Sequence, residues 1–281
     1  MIDMSRIFAV LVPLTLAAIA PAQKVTLRLN PSAGKVYLYD FAMEMKQTAP
    51  EFNTAMKQNS TLTLKVLSNT NSQIVLESDS GKVKVQVPKD DPMISYVPEL
   101  EKTSSDVKST ISLDSRGQNM TIKLPDGGNA MLQSMTQGMN GASMGFYALP
   151  SGPVGVGSTW SSTFDMAKMM SSAVGSAKPA DKPVITGGKI PVQFRLIQFV
   201  KRGGKTLAKI NIAMAGSMSL KGAGAGASKG SMDISLSSKG WTLVDVATGM
   251  TVEADTTSVN KTSFGGISMA QNIRNTLKLK G

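Results

Sequence analysis

The stretch AMLQSMTQGMNGASMGF (130–146) carries Met131, Met135, Met139 and Met144. At a spacing of four, Met131, Met135 and Met139 form one stripe on a helix, with Leu132 beside it. Thioethers are soft ligands, and three on one helical face suit Cu(I). The same side chains suit a second task, because unbranched Met fills irregular or adaptable apolar surfaces. Together with Phe146 the run then reads as a flap over an apolar cavity, with Met131, Leu132, Met135, Met139, Met144 and Phe146 as its ligand-facing residues. Plain core packing is the third reading. Gly138, Gly141 and Gly145 weaken the helix, as a short mobile element would require. Met is abundant elsewhere too, with 19 in the chain.

Other spacings fall short of the chemistry they would serve. Asp90, Asp91, Glu99 and Glu101 in KDDPMISYVPELEK are candidates for paired carboxylates, which glycoside hydrolysis needs facing each other across a cleft. Adjacent acids beside Pro92 read more simply as a solvated turn. Ser105 and Lys108 match Ser-x-x-Lys, but period-two alternation puts i and i+3 on opposite faces. GGKT (203–206) falls short of a phosphate loop, since Phe199 stands where that loop needs Gly. It sits between two strand-like runs and reads as a turn. The Gly-Ala run at 222–227 fails the dinucleotide spacing, and ESDSG (77–81) offers only a fragment of a calcium loop.

Two absences exclude more than any motif includes. The chain has no Cys and no His. Ser-His-Asp and Cys-His catalysis, the His and Cys ligands of most zinc sites and the commonest general base are thereby removed. The reading is a non-enzymatic protein with no catalytic residue, no cofactor and no His/Cys metal centre. The formal net charge is +11, which suits an anionic envelope surface. Nucleic acid is not expected, since basic patches interleaved with stacking aromatics do not occur at 5 % aromatic content.

The elements that must position these residues follow from patterning. Arg6, an apolar run from Ile7 to Ala20 and Ala20-Pro21-Ala22 have the form of a secretory signal peptide cleaved near Ala22. An exported protein, periplasmic or extracellular, is expected. No later segment reads as a membrane span. Beyond it, alternation dominates: KVTLRLN (24–30), GKVYLYDFAMEM (34–45), a hairpin about Asn69-Thr70-Asn71, GKVKVQV (81–87) and a hairpin turning at Asp114–Gly117. Further runs follow at 158–166, 189–216, 231–259 and the terminal TLKLK. This predicts a mainly β, β-rich α+β chain: a large curved antiparallel sheet or half-barrel with one or two short helices.

Internal echoes suggest two halves. Gly34, Tyr37, Phe41 and Met43 align at one offset with Gly157, Trp160, Phe164 and Met166. Leu62, Leu64 and Val66 match Val192, Phe194 and Leu196, and Asp114–Gly117 is echoed by Asp245–Gly249. The expected division is 1–22 signal peptide, 23–128 first β-rich half, 129–157 Met/Gly-rich helix and linker, and 158–281 second β-rich half.

In this layout the chain resembles the lipoprotein-carrier type of envelope protein (LolA/LppX-like open barrels). ALPSGPVGVGSTW (148–160) and DVATGMTVE (245–253) also resemble an uncharacterised family of bacterial secreted β-rich proteins. The carrier resemblance implies a concave apolar face sheltering an acyl chain beneath helical lids, and transfers no individual residue. The leading expectation is therefore an exported binder or carrier of a lipid or other apolar ligand. A structural or interaction protein of the cell surface is second, and Met-based Cu(I) binding third.

Overall fold

Alternation becomes strand along most of the chain. The computed structural model describes residues 24–50, 53–70, 72–123, 146–167, 184–223 and 230–280. Its strands are β1 (Val36–Thr48), β2 (Asn53–Asn69), β3 (Ile74–Asp79), β4 (Lys84–Gln86), β5 (Lys108–Leu113), β6 (Thr121–Lys123), β7 (Thr159–Asp165), β8 (Val184–Gly187), β9 (Lys189–Arg202), β10 (Lys205–Ala223), β11 (Gly230–Asp245), β12 (Thr251–Phe264) and β13 (Ile267–Leu279). A 3-10 turn (Pro92–Tyr96) leads into the helix α1 (Val97–Ser104). Among the described residues, no helix is long and apolar enough to cross a membrane.

All strands join one open antiparallel sheet in the order β6-β5-β3-β2-β1-β13-β12-β11-β10-β9-β7, with β4 added to β2 and β8 to β10. Two-residue turns at Gly203-Gly204 and Gly265-Gly266 join β9 to β10 and β12 to β13. All four glycines have positive φ, as the hairpin turns matching strand twist require. The order is regular: β6-β5-β3-β2-β1 and β12-β11-β10-β9-β7 run the same way on either side of β13. Local hydrogen bonding repeats as well. The Gly34 N–H donates to Val66 O and the Val66 N–H to Lys35 O, as Gly157 N–H does to Leu196 O and Leu196 N–H to Ser158 O. Tyr37 then faces Leu64 as Trp160 faces Phe194.

One end of the sheet is closed by the chain itself. Leu27 and Leu29 from the segment before β1, and Phe146, Tyr147 and Leu149 from the segment before β7, share a core with both flanks of the sheet, from Ile111 of β5 to Leu196 of β9. The sheet must curl to bring these flanks around one plug. The Tyr39 hydroxyl donates to Thr251 O at 2.9 Å, and Val25 bridges to Val154. The two echoed turns hold the plug. Asp114 accepts from the N–H groups of Arg116 and Gln118, and Asp245 from that of Ala247. Their loops then accept the Leu29 N–H on Ser115 O and the Asn30 N–H on Thr248 O. The Arg28 guanidinium donates to the carbonyls of Pro150 and Ser151, tying the two plug segments together.

Three local expectations need correction. KVTLRLN alternates as read, with Leu27 and Leu29 buried, but it is no strand of the sheet: the Leu29 and Asn30 N–H groups go to the two turns and the Val25 N–H to Val154 O. GKVKVQV shrinks to β4, because the N–H groups of Val83 and Val85 go to Ser105 and Glu101 side chains. The acidic stretch read as a turn is helical from Pro92 to Ser104. Asp91 caps it, accepting from the Met93 N–H, with Pro at the start.

Candidate ligand-binding face

Cross-strand register defines what the inner face offers beyond the core. Met56 of β2 lies opposite Met45 of β1, which faces Ile273 of β13; the row continues through Ser258, Ser238 and Met214 to Val192 of β9. The next row outward holds Gln47, Gln271, Asn260 and Leu236. Farther out, Met269, Thr262, Ile234 and Met218 align, then Ile267, Phe264, Met232 and Leu220. Apolar side chains thus extend past the plug to the far rim, interleaved with Ser, Thr, Asn and Gln.

Exposure separates the two faces. On the inner face Met43, Met45, Met56, Met214, Met232, Met269, Phe264 and Ile273 are all half-buried. On the outer face Glu44, Lys46, Lys57, Asp233 and Lys261 are exposed. Curvature shields the inner side chains without covering them. A smaller core of Met166, Ile190, Met218 and Leu220 fills the inner side of β8–β10, with Phe164 and Ile234 against it. A surface combining thioethers, two Phe and short polar groups can take a flexible apolar chain with an occasional polar atom.

Polar atoms of the interior fit the same description. Gln271 donates to Gln47 at 2.9 Å. Among the described residues, the Asn260 side-chain oxygen, on the inner face, is buried with no hydrogen-bond partner, and so is the Tyr147 hydroxyl in the closed core. Burial pushes the phenols of Tyr39 and Tyr147 well above the ordinary tyrosine range, so both stay protonated at physiological pH.

Met131, Leu132, Met135, Met139 and Met144 lie outside the described residues. Phe146 is 6 % exposed and packs in the closed core. Residues 1–22 also lie outside the described residues. Two of the four acidic candidates make structural bonds: Asp91 accepts from Thr54 and the Met93 N–H, and Glu101 accepts from the Val85 N–H while its other oxygen lies 3.7 Å from Lys84 Nζ. Gly203-Gly204 is a hairpin turn. What residue reading missed is the Met series on alternate strand positions of β1, β2, β10, β11 and β13. Its signal was present as period-two methionines, but only register shows that they share a face.

No protein-family profile matches the chain, and no curated protein matches it. A solved structure of lipovitellin, described as showing its lipid–protein interactions, is similar with a TM-score of 0.48 at 10 % identity. The match covers 89 % of this chain and 25 % of that one, so the chain spans a quarter of that protein's length. A likeness of this degree assigns neither ligand nor activity.

Proposed function

We propose that the protein binds the acyl chain of a lipid, or a ligand of similar shape, on the inner face of its open sheet, and does so as an exported, non-enzymatic envelope protein. One observation carries this reading: the run of half-buried apolar side chains from Met45 and Met56 across Ile273 to Met214, Phe264 and Met232, which continues the core without being covered by any described element. Clusters of incompletely covered apolar side chains on one face, here interleaved with short polar groups, are the kind of surface that soluble proteins use for an interaction. Half-burial favours a flexible chain lying along the sheet over a rigid ligand in an enclosed pocket. The apolar N-terminal run, read as a signal peptide, supports the envelope as the place of action.

Binding is tested by titrating the purified protein with a fluorescent long-chain fatty acid and by native mass spectrometry of protein from its own envelope. A saturable signal and a co-purifying lipid mass are expected. Met45→Glu, which puts a charge in the middle of the apolar row, should weaken uptake by about tenfold or more, ~1.4 kcal/mol. Lys46→Gln, one residue along on the outer face, should leave uptake unchanged. A clean apo mass with no uptake of the probe would sink the reading.

A further inference from the structure

The outer face of the same sheet carries a second feature, independent of acyl binding. Trp241 of β11 stands between Asn211 of β10 and Asp255 of β12. Ala213 and Gly240 beside it are small, so the large indole borders a depression of about 780 Å³. That lies within the range of about 300–1,000 Å³ for small-molecule sites. The Lys209 ammonium sits over the indole, 5.0 Å from the ring centroid. The hollow extends the other way, toward Ala213 and Lys239.

Charge around the hollow is one-sided. Arg195 and Lys239 line it, and among the described residues neither pairs with a carboxylate. Arg274 is held by Asp255 through two bonds, at 2.7 and 3.1 Å, which fixes its guanidinium on the rim. Among the described residues, Asp255 is the only acid lining the hollow against these three cations and the neighbouring Lys209, with Glu44 reaching Arg274 from beyond the wall. Gln193, Asn211, Thr159 and Thr257 add neutral hydrogen-bonding groups. An aromatic wall, neutral amide and hydroxyl groups, and unpaired cations in one shallow hollow define a ligand: a ring with an apolar face, many hydroxyls and negative charge. We infer that the Trp241 hollow binds an acidic saccharide, stacking a sugar ring on the indole and pairing its carboxylate or sulfate groups with Arg195 and Lys239. Arginine matches such oxyanions in a two-pronged geometry, and Trp supplies a rigid amphipathic platform. A bilayer surface would instead call for aromatics that protrude, and this one borders a hollow.

The test titrates the intact protein with a short oligogalacturonate and with a sulfated heparin oligosaccharide, read by calorimetry. A neutral cello-oligosaccharide and a short oligothymidylate serve as comparisons. Saturable binding of at least one acidic saccharide is expected, weakened at high salt. Trp241→Ala should weaken it at least about tenfold, as truncation of an aromatic anchor does, while Trp241→Phe keeps the platform and most of the affinity. Arg195→Gln with Lys239→Gln should abolish the preference for acidic over neutral saccharide. Thermal melting of each variant establishes that it is folded. Three results would overturn the assignment: no saturable binding of either acidic saccharide, binding indifferent to Trp241→Ala in a folded protein, or oligothymidylate binding as tightly as the saccharides. Each of these leaves fatty-acid uptake on the opposite face untouched.

Discussion

At the scale of single residues, the closed end depends on a few positions where nothing else fits. Gly249 has φ +68° and lies against the backbone of Arg28 and Leu29. A Cβ there would collide with the Arg28 carbonyl oxygen in a conformation that L side chains avoid. Gly249→Ala should therefore destabilise by about 1–3 kcal/mol, measurable as a lower denaturant midpoint at constant slope. Asp91 gives a pH-dependent counterpart. The Thr54 hydroxyl, and then the Met93 N–H, hold its carboxyl below the ordinary value of 3.8. A folded-state pKa lowered in this way contributes stability that is complete above the unfolded value and is lost as pH falls through the folded one. Melting temperature should consequently drop below about pH 4, and Asp91→Ala should lower it at neutral pH while flattening that acid limb. An unchanged acid limb in the variant would remove Asp91 from the account.

At the scale of elements, local pattern was readable and partnership was not. β9 shows the simplest case: its alternation runs from buried Ile190 to buried Leu196, and its turn residues, Gly203-Gly204, are local too. KVTLRLN alternates just as well, yet its partners are the segment before β7 and two turns more than a hundred residues apart in sequence. The helix after Asp91 has a local capping signal, Asp91-Pro92 followed by Glu99 in the first turn of α1 and Lys102 in its last, but the two adjacent acids beside Pro92 fit a solvated turn equally well. The boundary between β12 and β13 was likewise written in Gly265-Gly266 but masked by the polar Thr/Ser/Asn run preceding it. The plug segment also makes a prediction of its own. Leu27 is fully buried and Leu29 nearly so, so Leu27→Ala should cost about 2–5 kcal/mol, far more than Thr26→Ala on its exposed side. Equal effects of the two in urea melts would show that the segment does not cap the core.

At the scale of the whole molecule, the sheet grades from a packed end to an open one, and this gradient was invisible to residue reading. The Met-rich stretch 130–146 reads as a site in the sequence, but its four methionines lie outside the described residues, and Phe146 packs in the closed core. The inner-face series and Trp241 acquire meaning only when register assembles neighbours from several strands. The same gradient sets stability. Amides protected by buried packing on both ends of their strands open only with global unfolding, whereas those over half-buried side chains open locally. Hydrogen exchange should therefore be slow around Leu76, Ile111, Leu196 and Ile210, all fully or nearly fully buried. It should be faster along residues 43–48, 232–238 and 258–273, where the inner face is half-exposed. Binding of a long-chain fatty acid on that face would add apolar contact there, raising protection in those three stretches and around Met56 and Met214 but not at the closed end, and raising the melting temperature with ligand concentration. Uniform slowing across the sheet, or slowing confined to the Trp241 side, would place the ligand elsewhere.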